Sequence, residues 1–86
     1  MPEISRFLGI VIHMYFRDHE PPHFHARYGA AVARIRIAPI GLLGGSLPPR
    51  PLALAVEWAS LHQGELLENW HRLRTERRPI RIPPLE

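Results

Sequence analysis

The side chains that could do chemistry are concentrated in one short segment, from Arg17 to His25. Three of the six histidines fall in this segment, and Asp18 and Glu20 lie among them. Imidazole and carboxylate groups transfer protons near neutral pH and bind divalent metal ions. The segment is therefore the predicted functional centre of the chain, although these residue types do not by themselves name a reaction.

Two prolines, Pro21 and Pro22, stiffen the middle of this segment. A proline fixes its own φ, lacks a backbone donor and pushes the preceding residue into extended geometry, so a helix is excluded here. We predict a rigid, solvent-exposed loop and strand, because unpaired polar side chains are costly to bury. After the prolines, His23, His25 and Arg27 alternate with other residues and share one face of a predicted strand.

An H-x-H pair on a strand presents two imidazoles to the same side, where one metal ion could bind both. His23 and His25 form this pair, and the third predicted ligand is Asp18, His19 or Glu20. Three protein ligands would leave an open position for water. The alternative is that the histidines are solvated or bond to backbone carbonyls and carboxylates. A divalent metal is therefore a candidate cofactor that the spacing alone does not assure.

Composition limits the class of protein. At 86 residues, with 45% hydrophobic residues, the chain is expected to form a single domain over residues 1–86. The absence of cysteine excludes disulfides and thiolate zinc ligands and fits a reducing compartment. The apolar runs are too short to span a membrane, and the first residues lack the basic region of a signal peptide. We therefore expect a cytoplasmic protein that has no membrane partner.

The charge of the chain is carried in an unusual way. All eleven basic residues are arginine, and the formal net charge is +3. Codon bias in a GC-rich genome would explain the absence of lysine. Guanidinium groups nevertheless bind phosphate through paired hydrogen bonds, so the composition is compatible with a nucleic-acid partner.

The hydrophobic pattern predicts an α+β fold, an antiparallel sheet of three or four strands followed by a C-terminal helix packed on one face. The strands are expected at about 7–16, 23–28, 31–38 and, as a glycine-interrupted fourth, 42–47. Apolar residues at helical spacing predict a helix over 51–75, kinked or broken near Gly64, where the pattern slips. Residues 76–86 are predicted to be an extended proline-rich tail.

Strand alternation then assigns the polar residues to the other face of the sheet. The members of that face are His13, Tyr15, His23, His25, Arg27, Arg34 and Arg36. We expect the register in which Arg34 and Arg36 share a face with the set His23, His25 and Arg27 of the preceding strand. The opposite register would bury arginines in the core.

Two interpretations of this polar face remain open. In the first, the arginines bind the phosphates of a nucleic acid, and His23 and His25 act as general acid and base with Tyr15 orienting the substrate. The predicted phosphate ligands are Arg27, Arg34 and Arg36. In the second, the face is merely solvated, as is common in antiparallel sheets.

Three stretches of the sequence are distinctive as a set. They are the opening residues 1–7, the block Asp18-His19-Glu20-Pro21-Pro22-His23-Phe24-His25, and the helical residues 57–59, 61–62 and 65–70, between which Gly64 departs from the family pattern. Together they resemble the small bacterial family called domain of unknown function 4160, over nearly the whole chain. The resemblance implies no established activity. It implies that the protein is encoded beside another small domain, in a pair similar to toxin–antitoxin modules.

Three functional hypotheses follow. The first is a component of a toxin–antitoxin-like module that contacts nucleic acid or a small cognate protein through the basic face, with a ribonuclease-like activity as one form of it. The second is a non-catalytic interaction module that uses the histidine-rich segment as a rigid recognition turn. The third is a metal-binding protein or metal-dependent hydrolase.

Overall fold

The computed structural model describes residues 2–86, which form a five-stranded antiparallel sheet followed by two helices. The strands are β1 (Glu3–Phe7), β2 (Ile10–His13), β3 (His23–Tyr28), β4 (Ala31–Ile37) and β5 (Ile40–Gly45). The helices are α1 (Pro49–Leu61) and α2 (Gln63–Arg74). Each strand pairs with the next one along the chain. The predicted α+β class is confirmed, with five strands rather than three or four.

The extra strand comes from the first apolar segment, where the prediction of one strand over 7–16 is wrong. Leu8 and Gly9 form a two-residue turn with φ values of 50° and 81°, and this turn joins β1 to β2. Two-residue hairpins favour such left-handed residues, which glycine adopts without strain. The leucine hid the turn, because it continues the apolar run. β2 ends at His13, and residues 14–22 form a loop rather than more strand.

The predicted break in the helix is confirmed. α1 ends at Leu61 and α2 begins at Gln63, and between them His62 has a φ of −124° that lies outside helical geometry. Gly64 follows in the first turn of α2, where a flexible residue costs less than in the middle of a helix. Helical backbone geometry is therefore interrupted at His62, between α1 and α2.

The hydrophobic core lies between one face of the sheet and the helices. Trp58 of α1 is fully buried, and its ring lies 5.3 Å from Phe7 and 5.8 Å from Phe24. Across β3 and β4, Phe24 pairs with Ile35, as the expected register requires. The buried apolar side chains of the strands include Ile10, Ile12, Ala26, Ala33 and Ile37. This packing leaves the opposite face of the sheet to the polar residues.

Residues 77–86 contain neither helix nor strand, and they lie against the body of the protein through specific hydrogen bonds. Asn69 Nδ2 donates to Ile80 O, and Asn69 Oδ1 accepts from Ile80 N, both at 2.8 Å. Further on, Ile82 N donates to Ile4 O of β1 at 2.9 Å. The Ile82 side chain is buried, whereas Ile80 is exposed. The tail is therefore fastened along the outer edge of β1.

Candidate functional site

The loop of residues 14–22 carries the acidic part of the site and is anchored by α2. Arg17 N donates to Leu73 O at 3.3 Å, at the end of that helix. Arg74 Nη1 donates to the Glu20 carboxylate at 2.8 Å. These contacts link the loop to a helix more than fifty residues later in the chain, and they fix the position of the residues between them.

Three side chains converge where this loop meets β3. The Asp18 Oδ2 atom lies 3.1 Å from His23 Nε2 and 3.3 Å from His25 Nε2. One ligand atom from each of these three residues lies within 4.8 Å of the other two. We call Asp18, His23 and His25 the histidine–aspartate cluster. Its groups are those that bind a divalent metal ion or form a carboxylate–imidazolium ion pair.

The prediction that His19, His23 and His25 are solvent-exposed is wrong for His23 and His25. His23 and His25 are only 4% and 9% exposed. Trp70 of α2 lies against His23 with ring centroids 5.3 Å apart, and the Tyr15 ring meets His25 edge-on at 4.5 Å. Burial is tolerated because each imidazole has polar partners. His19, in contrast, is exposed and lies outside the group of converging ligand atoms.

The hydrogen bonds around the cluster fix how its groups are presented. His23 Nδ1 lies 2.8 Å from Pro21 O, a carbonyl that can only accept, so Nδ1 carries the proton and Nε2 faces Asp18. Burial raises the pKa of the Asp18 carboxyl, but hydrogen bonds from the His19 N–H and from His25 outweigh it and lower the pKa overall. Asp18 is therefore ionised at neutral pH.

His13 belongs to this site, although sequence reasoning placed it on the polar face without assigning it a role. It pairs with His25 across β2 and β3, and the two rings stack with centroids 5.2 Å apart and planes 8° apart. Burial, with a smaller contribution from the nearby charges of His25 and Arg27, lowers the pKa of His13 to about 4. Burial also lowers the pKa of His25, against the opposing effect of Asp18. The cross-strand register is the signal that would have joined His13 to the cluster.

Three arginines lie beside the cluster on the same sheet face. The register pairs His25 with Arg34 and His23 with Arg36, and Arg27 follows on β3. Arg27 and Arg34 are exposed and Arg36 is half-buried. Within residues 2–86, none of the three forms a salt bridge. We call Arg27, Arg34 and Arg36 the arginine face. The predicted coincidence of the charged residues on one surface is confirmed by this register.

Glycines in β5 make room for two of these arginines. Gly44 lies beside Arg34 in the register of β4 and β5, and Gly41 beside Arg36. A Cβ atom at Gly44 would overlap the Arg34 guanidinium, and one at Gly41 would lie 3.3 Å from a guanidinium nitrogen of Arg36. Arg36 Nε also donates to Pro39 O at 2.9 Å. The absence of a side chain at Gly44 therefore lets the guanidinium of Arg34 lie directly over the backbone of β5. The same glycines had made the prediction of this strand weaker.

The structure thus brings most of the predicted site residues onto one surface. Tyr15 is 40% exposed and touches the cluster through His25. The roles assigned to Tyr15, His23 and His25 in catalysis, and to the arginines in phosphate binding, stay predictions. In the described part of the chain, neither helix is long and apolar enough to cross a membrane.

Comparison with known proteins adds one relationship. No curated protein and no solved structure shows significant similarity to this chain. The profile of the family described as domain of unknown function 4160 matches residues 9–71. The match contains β2 to β5, the histidine–aspartate cluster, the arginine face and most of the helical region. Because it spans well over half of the 86 residues, the chain belongs to the domain of unknown function 4160 family.

Proposed function

We propose that this protein binds the phosphate backbone of a single-stranded nucleic acid through the arginine face. The observation that carries the proposal is that Arg27, Arg34 and Arg36 share one sheet face and, within residues 2–86, have no carboxylate partner. A guanidinium that is not neutralised by the protein can form paired hydrogen bonds with a phosphate. The formal net charge of +3 favours the same partner.

The spacing of the arginines supports contacts with more than one phosphate. Arg34 and Arg36 lie two residues apart on β4, which separates their backbone positions by about 7 Å along the strand. Gly44 and Gly41 beside them leave both guanidiniums unobstructed by side chains of β5. The Tyr15 ring is partly exposed and meets His25, the cross-strand neighbour of Arg34, so it offers a base a stacking partner. This combination of cationic and aromatic groups is typical of single-strand recognition.

We assign this face to binding rather than to cleavage. General acid–base catalysis requires that the histidines reach the reacting oxygen atoms. His23 and His25 are buried beneath Trp70 and Tyr15, and they face Asp18 rather than solvent. Arg27 and Arg34 are exposed and Arg36 is half-buried, so the arginines are more accessible than the histidines and carry the proposed function.

The test is the salt dependence of binding to a fluorescently labelled single-stranded RNA. We expect the double variant Arg34→Ala/Arg36→Ala to bind more weakly and to flatten the slope of log K against log salt by about 1.4, because two phosphate contacts are lost. The matched control is Arg50→Ala/Arg78→Ala, which removes the same charge from exposed positions outside this face. An equal loss of slope in both variants would show that charge alone, and not this face, attracts the RNA.

A third variant keeps both arginines and changes only the position of the Arg34 guanidinium. Gly44→Ala adds a methyl group where the Arg34 guanidinium now lies, so the guanidinium must move. We expect a folded protein, since φ at Gly44 is not positive, together with weaker RNA binding than that of the wild type. Unchanged RNA affinity in this variant would argue against a preorganised role for Arg34.

The paired arrangement that the sequence resemblance implies leads to a proposal about the cellular role. We propose that the protein works as one component of a toxin–antitoxin-like pair, with a small cognate protein as its partner. Induced expression should arrest growth or relieve the arrest caused by the neighbouring gene product. Unaltered growth in both experiments would contradict this role and would leave nucleic-acid binding to be judged by the salt-dependence measurement.

A further inference from the structure

We propose that Asp18, His23 and His25 form a binding site for one divalent transition-metal ion. This site is distinct from the arginine face and would exist whether or not the protein binds nucleic acid. The proposal rests on the positions of the three ligand atoms, on the proton arrangement around them and on the residues that hold them in place.

The distances match the edges of a metal coordination polyhedron. Imidazole nitrogens and carboxylate oxygens bind zinc at about 2.0–2.2 Å, which places neighbouring ligands of a tetrahedral site about 3.3–3.6 Å apart. Asp18 Oδ2 lies 3.1 Å from His23 Nε2 and 3.3 Å from His25 Nε2. The two imidazole nitrogens lie within 4.8 Å of each other, so one ion could be bound by all three atoms after small movements of the side chains.

The proton arrangement favours a cation between His23 and Asp18. His23 Nδ1 donates its hydrogen to Pro21 O, so neutral His23 carries a lone pair on Nε2. That lone pair faces the Asp18 carboxylate, which is also electron-rich, at 3.1 Å. In that form a cation between the two atoms, either a metal ion or a second proton, replaces the repulsion with attraction. Metal-binding histidines commonly donate their second ring N–H to a backbone carbonyl, as His23 does.

The other two ligands are oriented in a comparable way. Asp18 Oδ1 accepts a hydrogen bond from His19 N at 2.7 Å, which leaves Oδ2 as the oxygen that faces the histidines. The His25 ring is stacked on His13 and capped edge-on by Tyr15. Since all three ligands are held by neighbouring groups, little conformational freedom would be lost when a metal binds.

The ligand set also indicates the class of metal. Two imidazole nitrogens and one carboxylate suit zinc and other first-row transition ions, whereas magnesium and calcium prefer oxygen ligands alone. Three protein ligands leave at least one coordination position for water or another ligand. Arg34 is the cross-strand neighbour of His25, so the local positive charge favours an anion as the further ligand.

The direct test is metal content and calorimetry after chelator treatment of the full chain. We expect one equivalent of Zn²⁺ to bind and no heat with Mg²⁺. Asp18→Asn and His25→Gln should each weaken Zn²⁺ binding by more than about 100-fold. His19→Gln is the matched control, because His19 is an exposed neighbour outside the cluster, and it should bind Zn²⁺ like the wild type.

A second measurement needs no variant and does not depend on how well the variants fold. Nitrogen NMR of the histidine rings in the wild-type protein should show Zn²⁺-dependent shifts at Nε2 of His23 and His25, with His19 and His71 unaffected. Shifts at exposed histidines instead, or loss of binding in His19→Gln, would overturn the proposal. Absence of Zn²⁺ binding together with a doubly protonated His23 would show that a proton, and not a metal, lies between His23 and Asp18.

Discussion

Phe24 and His25 are adjacent in β3, yet they lie in opposite environments. Phe24 packs against Trp58 in the hydrophobic core, whereas His25 joins Asp18 and His13 on the other face. Both residues are buried, since neither exceeds 9% exposure. The core face is stabilised by the removal of apolar surface from water, and the other face is tolerated because its polar groups find partners. Substitutions on the core face should therefore change stability without removing the groups of the histidine–aspartate cluster.

The largest expected effect comes from the core face. Trp58→Ala should lower the free energy of unfolding by about 3–5 kcal/mol, because it removes a fully buried indole and leaves a cavity. Urea unfolding followed by circular dichroism measures this change. Leu61→Ala on the same helix is the control, since Leu61 is 66% exposed, and it should change stability by no more than about 0.5 kcal/mol. Similar losses in both variants would mean that α1 does not cover the core as described.

The next largest effect on stability concerns the hydrogen bonds that hold residues 77–86 against α2. Asn69→Ala removes both hydrogen bonds to the backbone of Ile80, and we expect a loss of about 1–3 kcal/mol together with faster proteolysis of residues 77–86. Glu68→Ala is the neighbouring control, because its ion pair with Arg72 is exposed and contributes only a few tenths of a kcal/mol. Protease resistance unchanged in Asn69→Ala would indicate that other contacts hold the tail.

A smaller effect, of opposite sign, tests the rule that buried polar groups need partners. Ser5 Oγ is buried without a hydrogen-bond partner among the described residues, and Ser5 pairs with Ile12 on the core side. Ser5→Ala should therefore raise the stability by about 1 kcal/mol. Ser60→Ala, in which an exposed hydroxyl loses its bond to Val56 O, should shift the unfolding midpoint much less. Destabilisation by Ser5→Ala would point to a partner for that hydroxyl in solution.

The smallest effect is a pH dependence at the edge of the sheet. Hydrogen bonds from Arg6 and Arg81 lower the pKa of Glu3 from 4.5 to about 2. Because the pKa is lower in the folded state, this contribution to stability is present above pH 4.5 and is lost as pH falls towards 2. Urea midpoints of the wild type and Glu3→Gln should differ slightly at pH 5 and converge at pH 2. A difference that grows on acidification would contradict this assignment.

The local features of the fold could be predicted from the sequence, and the features that depend on distant contacts could not. Alternation along a strand placed Arg34 and His25 on one face, and a slip in the helical pattern located the break beside Gly64. The turn at Leu8 was missed because leucine continues an apolar run. The burial of His23 depends on Trp70, which follows it by nearly fifty residues, and no local pattern reports such a contact.

The hydrogen bond from Ile82 to Ile4 has a consequence for solubility. β1 and β5 are the two edges of the sheet, and an uncovered edge is a template on which a second chain can add a strand. The tail, residues 77–86, occupies part of the β1 edge, and the side chain of Ile82 is buried. Prolines at 79, 83 and 84 make the tail a poor template itself, because they lack the donor that a further strand would need. The tail therefore protects the sheet against edge-to-edge aggregation, and its release would open a route to domain-swapped or fibrous assemblies.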